Sequence, residues 1–364
     1  MVYNVIGLMS GSSLDGLDIC YSQFEEVRGK WSAQIVHAEC IPYTEEWKRN
    51  LHEAALQNVP YFLRLHTAYG RYLGEAVQSF MDRNELAHKV HFIASHGHTI
   101  WHEPQAQTTF QLGDGASIAA VVGLPVISDL RAMDVALGGQ GAPIVPIGDK
   151  LLFTDYDLLL NLGGIANITI RKTGEPEIAF DICVANQALN ALAQRIGKEY
   201  DEEGSLAASG KLLEAEIAPL EDAAYYRLKG PKSLSNEQAM GFVSDFVHND
   251  AYSIEDRLHT LVHLIAGHIE RSIDMYLDES ADRRQKMLVT GGGAFNIFLV
   301  QLLREKLTPK GIEIEIPSNE IVMYKEALVM SLIGILRWRE ETNTLHEVTG
   351  ASRSSIGGAY WMGA

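Results

Sequence analysis

The chain has few cysteines, a deficit of basic residues and no long apolar run. Its 364 residues include only Cys20, Cys40 and Cys183, which form no CxxC pair. An odd number of dispersed cysteines argues against a disulfide framework or a structural zinc site, and favours a reducing compartment. No apolar run approaches the roughly 18 residues of a membrane span. The N-terminal residues show no basic segment or cleavage site of a secretory leader. We therefore expect a cytoplasmic protein with no membrane partner.

The shortage of positive charge also limits the ligands to be expected. Thirty Lys and Arg residues face 47 Asp and Glu residues, which gives a formal net charge of -17. Such a chain repels a phosphate backbone, and no basic stripe offsets the repulsion locally, so we expect no nucleic-acid partner. An anionic ligand would have to be bound by local donors, such as the backbone N–H groups of glycine-rich turns.

The apolar patterning predicts two α/β lobes that begin alike. The first lobe opens with predicted strands at YNVIGLM, DICYSQF and AQIVHAECI, and the second repeats strand, glycine turn and strand in DLLLNLGGIANITIRK, followed by EIAFD. Helical spacing follows in VANQALNALAQRI, LHTLVHLIAGHIERSIDMYL and KEALVMSLIGILRW. Because a single core stops growing at roughly 250–300 residues, we predict two domains, residues 1–145 and 146–364, with the extreme C-terminus able to return to the first. Ligand sites tend to form in a cleft between such lobes.

The turn between the first two predicted strands is rich in small and acidic residues. The stretch GLMSGSSLDGLD contains Gly7, Gly11 and Gly16, three serines, and the carboxylates of Asp15 and Asp18. Glycines permit tight or left-handed backbone, so such a turn can surround phosphate oxygens with N–H groups while an aspartate holds Mg²⁺. A plain hairpin turn has the same composition and stays an alternative.

Two more glycine turns follow predicted strands. Asn161–Asn167 reads NLGGIAN and occupies the equivalent place in the second lobe, while Thr290–Asn296 reads TGGGAFN and precedes a predicted helix. Two matched turns suit a polyphosphate, and the third suits a nucleoside. The third turn can equally be a strand-to-helix connection that needs glycine for packing.

Polar side chains elsewhere suggest a site for a small polar substrate. Asp181 follows the predicted strand EIAF, where it can act as a general base or cap the following helix. The stretch SHGHTIWHEP contains histidines suited to polyol binding or to hydrogen bonding in the core, and no zinc motif accompanies them. Arg131 lies in a glycine-rich loop and can bind a carboxylate with its two-pronged guanidinium.

Seven stretches, in order from about Asn4 to Trp361, resemble the anhydro-N-acetylmuramic acid kinase family of bacterial cell-wall recycling. They are GLMSGSSLDGLD, SHGHTIWHEP, QLGDGASIA, DLRAMDVALGGQGAPIVP, NLGGIANIT, VTGGGAFN and KEAL. The resemblance implies a two-lobed actin-like ATPase fold, with duplicated ribonuclease-H-like domains and Mg-ATP in the cleft between them. It also implies a coupled reaction, in which an activated water opens the 1,6-anhydro ring and the freed O6 accepts the γ-phosphoryl group. The implied products are N-acetylmuramic acid 6-phosphate and ADP.

The resemblance also assigns roles to residues of this chain. It implies Asp181 as the catalytic base, Asp15 and Asp18 near the metal, and a homodimer. The implied ATP-binding residues are Gly11, Ser12, Ser13, Asp15, Gly163, Gly164, Asn167, Gly291, Gly292, Gly293 and Asn296. The implied substrate-binding residues are His98, Asp114 and Arg131.

The chain departs from the family pattern mainly where the sugar is expected. The usual FDTGPGN is FDICVAN here, so that Val184 and Ala185 add bulk to this loop, and HGQT becomes HGHT with His98 in place of an amide. KSTGRE becomes KSLSNE. We expect these changes to preserve ATP binding and to bear on substrate choice. The alternatives are a paralogous kinase for a related amino sugar or sugar acid, and a non-catalytic ATP-binding sensor.

Overall fold

The computed structural model describes residues 1–11, 13–172, 177–230, 232–276 and 284–363. The chain divides into two compact units. Unit 1 comprises Met1–Thr154 and Tyr324–Ala364, and unit 2 comprises Asp155–Met323. The domain limits at residues 145 and 146 stay a prediction.

Each unit begins with three consecutive strands, and helices and further strands follow. The strands of the described residues are β1 (Val2–Ser10), β2 (Gly16–Val27), β3 (Lys30–Pro42), β4 (Phe92–Glu103), β5 (Thr108–Leu112), β6 (Val126–Ser128), β7 (Leu158–Leu162), β8 (Ile165–Ile170), β9 (Ile178–Val184), β10 (Gln285–Thr290), β11 (Ile312–Glu315) and β12 (Ala359–Trp361). The α-helices are α1 (Glu45–His52), α2 (Val59–Arg83), α3 (Gly115–Val122), α4 (Ala132–Ala136), α5 (Pro146–Leu152), α6 (Asn186–Gln194), α7 (Ser205–Ser209), α8 (Glu214–Glu221), α9 (Asn236–Gly241), α10 (Ser244–Val247), α11 (Ile254–Asp274), α12 (Ile297–Leu307), α13 (Asn319–Trp338) and α14 (His346–Thr349).

Unit 1 is built on a mixed sheet with the strand order β12-β6-β4-β1-β2-β3, and β5 pairs with β4. The first three strands are antiparallel neighbours, whereas β4 runs parallel to β1 and β6 runs parallel to β4. The predicted hairpin around the opening glycine turn is confirmed. The turn therefore lies beside the carboxyl end of β1, the edge of a parallel sheet where ligand sites form.

Both faces of this sheet are covered by helices. Ile6 and Leu8 of β1 pack in one apolar cluster with α2, whose buried residues recur at helical spacing. Val5 packs in a second cluster with α13. Gly7 shares that second face, and a Cβ there would lie 2.0 Å from the carbonyl oxygen of Ala327 in α13. Glycine at position 7 thus allows close packing between strand and helix.

The sheet of unit 2 repeats this plan with the order β11-β10-β7-β8-β9. Here β7, β8 and β9 are antiparallel, and β10 and β11 are added parallel on the other side of β7. In both units three antiparallel strands are thus followed by parallel strands beside the first, as in ribonuclease-H-like domains. The repeated order confirms the predicted α/β fold with duplicated domains of the actin-like ATPase type.

The longest helix of unit 2, α11, carries the core of that unit. It begins after Ser253, whose side chain accepts the N–H of Asp256, and it buries residues such as Leu258, Leu261 and Ile265. These pack with the inner face of the second sheet in one apolar cluster. Among the described residues, none of the helices is both long enough and apolar enough to cross a membrane.

Candidate active site

The opening turn of unit 1 is organised around Asp15. Its Oδ1 accepts a hydrogen bond from the Ser13 hydroxyl at 2.7 Å and another from the Gly16 N–H at 2.9 Å. The left-handed residue of the turn is Leu14, with φ of 58°, rather than a glycine. Ser12, a predicted phosphate ligand, lies outside the described residues, while Gly11, Ser13 and Asp15 all belong to this turn, and their roles toward a phosphate stay predictions.

Asp18 lies three residues further on, in β2 and opposite Cys40 of β3. Burial raises the pKa of its carboxyl to about 6, against a hydrogen bond from the Cys40 thiol, and the negative charges of Asp15 and Glu326 raise it further. A carboxylate held among other carboxylates is suited to a cation. Because Mg²⁺ is usually held by one or two carboxylates plus substrate phosphates and water, the pair Asp15 and Asp18 fits it.

His98 lies in β4, where it pairs with Ser10, the last residue of β1. Its Nδ1 is 2.9 Å from the Ser10 hydroxyl. The ring is only 5% exposed, and burial lowers its pKa to about 4, so the imidazole is neutral at physiological pH.

Arg131 is held by groups of β4 and of its own loop. Its Nε donates to Nε2 of His96 at 2.8 Å, and its Nη1 donates to the carbonyl oxygen of Gly141 at 2.5 Å. His96 is therefore protonated at Nδ1, which is 2.9 Å from the Gly97 carbonyl oxygen. Because Nε is already used, a carboxylate can form its bidentate pair only with the terminal nitrogens of the guanidinium.

Asp114, the third predicted substrate ligand, caps helix α3. Its carboxylate accepts the N–H groups of Ala116 and Ser117 at 3.3 and 3.1 Å. It also accepts the Ser117 hydroxyl. These bonds account for its conformation as an N-cap, and its role toward a substrate stays a prediction.

In unit 2, the second and third glycine turns come together. A Cβ on Gly291, which has φ of +81°, would lie 2.6 Å from Oδ1 of Asn161, and one on Gly293 would lie 2.7 Å from Cβ of Leu162. Asn186 joins the same group by donating its Nδ2 to the Leu162 carbonyl oxygen at 2.8 Å. The sequence NLGG and the sequence TGGG therefore form one glycine-lined surface at the carboxyl ends of β7 and β10.

A row of polar residues crosses four neighbouring strands beside this surface. Thr290 of β10 pairs with Asn161 of β7, Asn161 pairs with Asn167 of β8, and Asn167 pairs with Asp181 of β9. Paired residues of adjacent strands share a face of the sheet. The predicted phosphate ligand Asn167 and the predicted base Asp181 are thus direct neighbours.

The backbone and the carboxylate of Asp181 are both fixed by hydrogen bonds with Tyr225, Lys232 and Leu234. The Tyr225 hydroxyl donates to its carbonyl oxygen at 2.7 Å, and its own N–H donates to the carbonyl oxygen of Lys232 at 3.0 Å. The Leu234 N–H donates to Oδ2 at 2.9 Å. Burial raises the pKa of this carboxyl, and the Leu234 N–H partly opposes the rise. Within the described part of the chain, Oδ1 has no hydrogen-bond donor.

The structure rules out the alternative of Asp181 as a helix cap and shows where the altered residues after it lie. The strand continues past it to Val184, and the residue before helix α6 is Ala185, so Asp181 is not a helix cap. Val184 and Ala185 are 2% and 0% exposed and pack in the core, and the φ of Ala185 is −133°. The altered residues therefore add their bulk to the core of unit 2, and neither of them has a positive φ.

Of the remaining predicted ATP ligands, Asn296 is the N-cap of helix α12. Its Oδ1 accepts the Leu299 N–H at 2.9 Å. Gly163 and Gly164 form the β7–β8 turn, and their carbonyl oxygens accept the N–H groups of Asn186 and Ala185 at 3.1 and 2.8 Å. Gly292 lies near Asn186, because a Cβ added to this glycine would be 3.6 Å from the Asn186 Nδ2. Their roles toward a nucleotide stay predictions.

Sequence reasoning missed the residues that support these side chains. Tyr43, Tyr69 and Tyr225 belong to no motif. Tyr225 contacts Asp181, Tyr43 contacts Ser10 and Tyr69 contacts Tyr43, each from a distant part of the chain. Leu234 stands in the KSLSNE stretch, which gave no sign of its contact to Asp181. Glu326 belongs to the KEAL stretch, so the sequence did offer a motif that points to it. Its negative charge raises the pKa of both Asp18 and Arg131.

The repeated fold, the glycine-lined surface and the fixed carboxylate are compatible with a phosphotransferase of the actin-like ATPase type. Residues 3–363 match the family model described as anhydro-N-acetylmuramic acid kinase. A curated protein of that name from Coxiella burnetii is 32% identical, covering 98% of this chain and 97% of its own. Another from Azorhizobium caulinodans is 32% identical over 98% of each chain.

A third relative of the same name, from Bacillus thuringiensis subsp. konkukian, is 29% identical over 97% of each chain. Among solved structures, the activator of the 2-hydroxyisocaproyl-CoA dehydratase from Clostridium difficile aligns with a TM-score of 0.45 at 14% identity, covering 93% of this chain and 96% of its own. The match over nearly the whole length means that the chain belongs to the anhydro-N-acetylmuramic acid kinase family. It is a kinase, an enzyme that transfers a phosphoryl group to an alcohol.

Proposed function

We propose that this protein opens the 1,6-anhydro ring of anhydro-N-acetylmuramic acid with water and transfers the γ-phosphoryl group of ATP to O6. Water adds to the anomeric carbon, the bond from that carbon to O6 breaks, and O6 then attacks phosphorus. The products are N-acetylmuramic acid 6-phosphate and ADP. Whole-length membership of the family supports the substrate, and the geometry of Asp181 supports the chemistry.

The observation that carries the proposal is the asymmetric setting of the Asp181 carboxylate. One oxygen is fixed by the Leu234 N–H at 2.9 Å, while the other is left to accept a proton from water. Its raised pKa makes the carboxylate a stronger base than an exposed aspartate, and it must be ionised to act. Turnover should therefore decline as the pH falls through this raised pKa.

We assign the phosphates of ATP to the glycine turns. In unit 1 the ligands are Gly11, Ser12 and Ser13, and in unit 2 they are Gly163, Gly164 and Asn167. The nucleoside is assigned to Gly291, Gly292, Gly293 and Asn296. Backbone N–H groups suit an acidic protein, because they bind phosphate without adding lysines. The close approach of Gly291 to Asn161 supports a surface on which side chains are excluded.

We assign Mg²⁺ to Asp15 and Asp18. When bound, the metal supplies positive charge to the transferring phosphoryl group. The role of the chain is to keep two carboxylates near each other. The raised pKa of Asp18 and the orienting bonds of Ser13 and Gly16 to Asp15 support this assignment.

We assign the sugar to His98, Asp114 and Arg131. The lactyl carboxylate is assigned to Arg131, whose Nε is occupied by His96 and whose terminal nitrogens suit a planar anion. We further propose that the enzyme works in the cytoplasm, as a homodimer. The three cysteines are free thiols, which supports a reducing compartment.

Two alternatives remain distinguishable from this reaction, a paralogous sugar kinase and a non-catalytic ATP-binding sensor. The burial of Val184 and Ala185 in the core favours the family reaction, because these departures leave Asp181 in place within β9. Retention of a supported carboxylate argues against a sensor.

The test is the variant Asp181→Asn, assayed with Mg-ATP and the anhydro sugar. Its turnover should fall by at least ~10³-fold if proton acceptance is lost, whereas ATP affinity by calorimetry should stay within about twofold. Asp245→Asn, which alters an exposed aspartate of the same unit, is the control. Normal turnover of Asp181→Asn would refute its role as the base, and equal loss in both variants would indicate a general structural effect.

A further inference from the structure

Four buried side chains of unit 1 form a hydrogen-bonded chain that ends at His98. The hydroxyls of Tyr69 and Tyr43 are 2.6 Å apart, the Tyr43 hydroxyl donates to Ser10 Oγ at 2.7 Å, and Ser10 Oγ is 2.9 Å from Nδ1 of His98. The exposed fractions are 0% for Tyr69, 4% for Tyr43, 3% for Ser10 and 5% for His98. The hydrogen-bonded chain of Tyr69, Tyr43, Ser10 and His98 is thus shielded from bulk water along most of its length.

Each hydroxyl has one proton, so the direction of one bond fixes the next. Tyr43 gives its proton to Ser10, and therefore the short contact between the tyrosines requires Tyr69 to donate to Tyr43. Ser10 accepts from Tyr43 and still has its own proton. Within the described part of the chain, the acceptor in hydrogen-bond contact with Ser10 for that proton is Nδ1 of His98.

This direction sets the tautomer of His98. If Nδ1 accepts from Ser10, the ring proton is on Nε2. The opposite tautomer would donate from Nδ1 to Ser10 and leave the serine proton unpaired in the interior, which is costly. Nε2 itself has no hydrogen-bond partner in the described part of the chain, and it is not among the atoms sealed from solvent.

We propose that the chain Tyr69, Tyr43 and Ser10 holds His98 as a one-way hydrogen-bond donor, and that its Nε2–H selects an acceptor oxygen of the sugar. This inference rests on the proposed function, in which His98 contacts the sugar. A glutamine at this place would present an amide that can donate or accept. Here the ligand group opposite His98 must be an acceptor, such as a carbonyl, ether or hydroxyl oxygen, and a group that can only donate is rejected.

Ser10 and the two tyrosines are positioning residues in this scheme, since they act through His98. The tautomer can be read directly in protein labelled with ¹⁵N-histidine, by long-range proton–nitrogen NMR at neutral pH without any ligand. The signals of His98 are identified by their absence from His98→Gln. We expect a neutral ring with its proton on Nε2.

Ser10→Ala should shift the Nδ1 signal of His98, because it deletes the donor to that nitrogen. The matched control is Ser22→Ala, which changes another fully buried serine of the same sheet whose hydroxyl contacts Cys20 instead. Ser22→Ala should leave the His98 signals unchanged. A wild-type ring protonated on Nδ1, or an Nδ1 signal that Ser10→Ala leaves unaltered, would overturn the proposal.

The KM values of two His98 variants distinguish the hydrogen-bond donation by this residue from the shape of its side chain. His98→Gln can place an N–H near the position of Nε2, so its KM for the anhydro sugar should stay within a few-fold of wild type. His98→Leu cannot donate, and its KM should rise about tenfold with a smaller change in kcat. Equal KM values for His98→Leu and wild type would overturn the donor role.

The two proposals fail in different ways. Wild-type protein that does not turn over the anhydro sugar would refute the proposed function, and the ligand-free spectrum would still decide the tautomer. Wild-type turnover with a proton on Nδ1 would leave the kinase reaction standing and refute the role of the hydrogen-bonded chain.

Discussion

Replacement of Asp18 by asparagine should stabilise unit 1 at neutral pH. The carboxylate lies in β2 between other acidic side chains, and burial is the largest contribution to its raised pKa. A charge in such a place is costly unless a cation joins it. The amide of the Asp18→Asn variant would keep the shape and the strand pairing while removing the charge. If Asp18 binds Mg²⁺, the cost has a functional reason, and Asp18→Asn should also weaken the dependence of ATP binding on Mg²⁺.

The magnitude follows from the pKa. A rise from 3.8 to about 6 corresponds to roughly 3 kcal/mol at pH 7, and because Asp18 is only partly buried we expect about 1–2 kcal/mol after solvent screening. The folded carboxyl holds its proton more tightly than the unfolded one, so the penalty is absent below about pH 4, develops as the pH rises to about 6, and is full above that.

Urea unfolding followed by tryptophan fluorescence measures this effect in the relevant unit. All five tryptophans, Trp31, Trp47, Trp101, Trp338 and Trp361, belong to unit 1. The gain in unfolding free energy for Asp18→Asn should be present at pH 7 and should shrink toward zero at pH 4. Glu25→Gln, an exposed carboxylate of the same strand, should change little at either pH. A loss of stability at pH 7, or an equal gain at both pH values, would refute the reasoning.

Three further substitutions test the supports of the site. Tyr225→Phe removes the donor to the main-chain oxygen of the proposed base, and kcat should fall several-fold with KM nearly unchanged in steady-state assays. A change in KM alone would contradict this. His96→Ala frees the Nε of Arg131 from its acceptor, so KM for the sugar should rise about tenfold, and an unchanged KM would argue against that anchor. Gly291→Ala should lower ATP affinity and the melting temperature of unit 2, because a Cβ there would meet atoms at 2.6 Å. Gly311→Ala has nearly the same φ, +80°, in open space, and it separates backbone strain from the clash.

The fold was largely predictable because its signals are local. The short apolar run of β1 and the spacing of buried residues in α2 and α11 each specify an element within one short stretch. The repeat of strand, glycine turn and strand also predicted the duplication, and the two sheets confirm it. The end of β9 was not predictable, since the strand continues through residues that also suit a helix start.

The support of the candidate site depends on contacts between distant residues. Tyr69 and Ser10 belong to one hydrogen-bonded chain although 59 positions separate them, and Leu234 reaches Asp181 from 53 residues away. No periodicity or motif encodes such a contact. The glycines were recognisable by composition, but the reason for Gly7, the approach of Ala327, exists only in the folded chain.

Ring opening and phosphoryl transfer on one sugar molecule can be observed together in a single reaction. Purified protein is incubated with Mg-ATP and 1,6-anhydro-N-acetylmuramic acid, and the sugar product is weighed by mass spectrometry. The proposed reaction requires a gain of one phosphoryl group and one water, with equimolar ADP. An unchanged sugar in the presence of bound ATP, or a phosphorylated sugar that has not gained water, would contradict it.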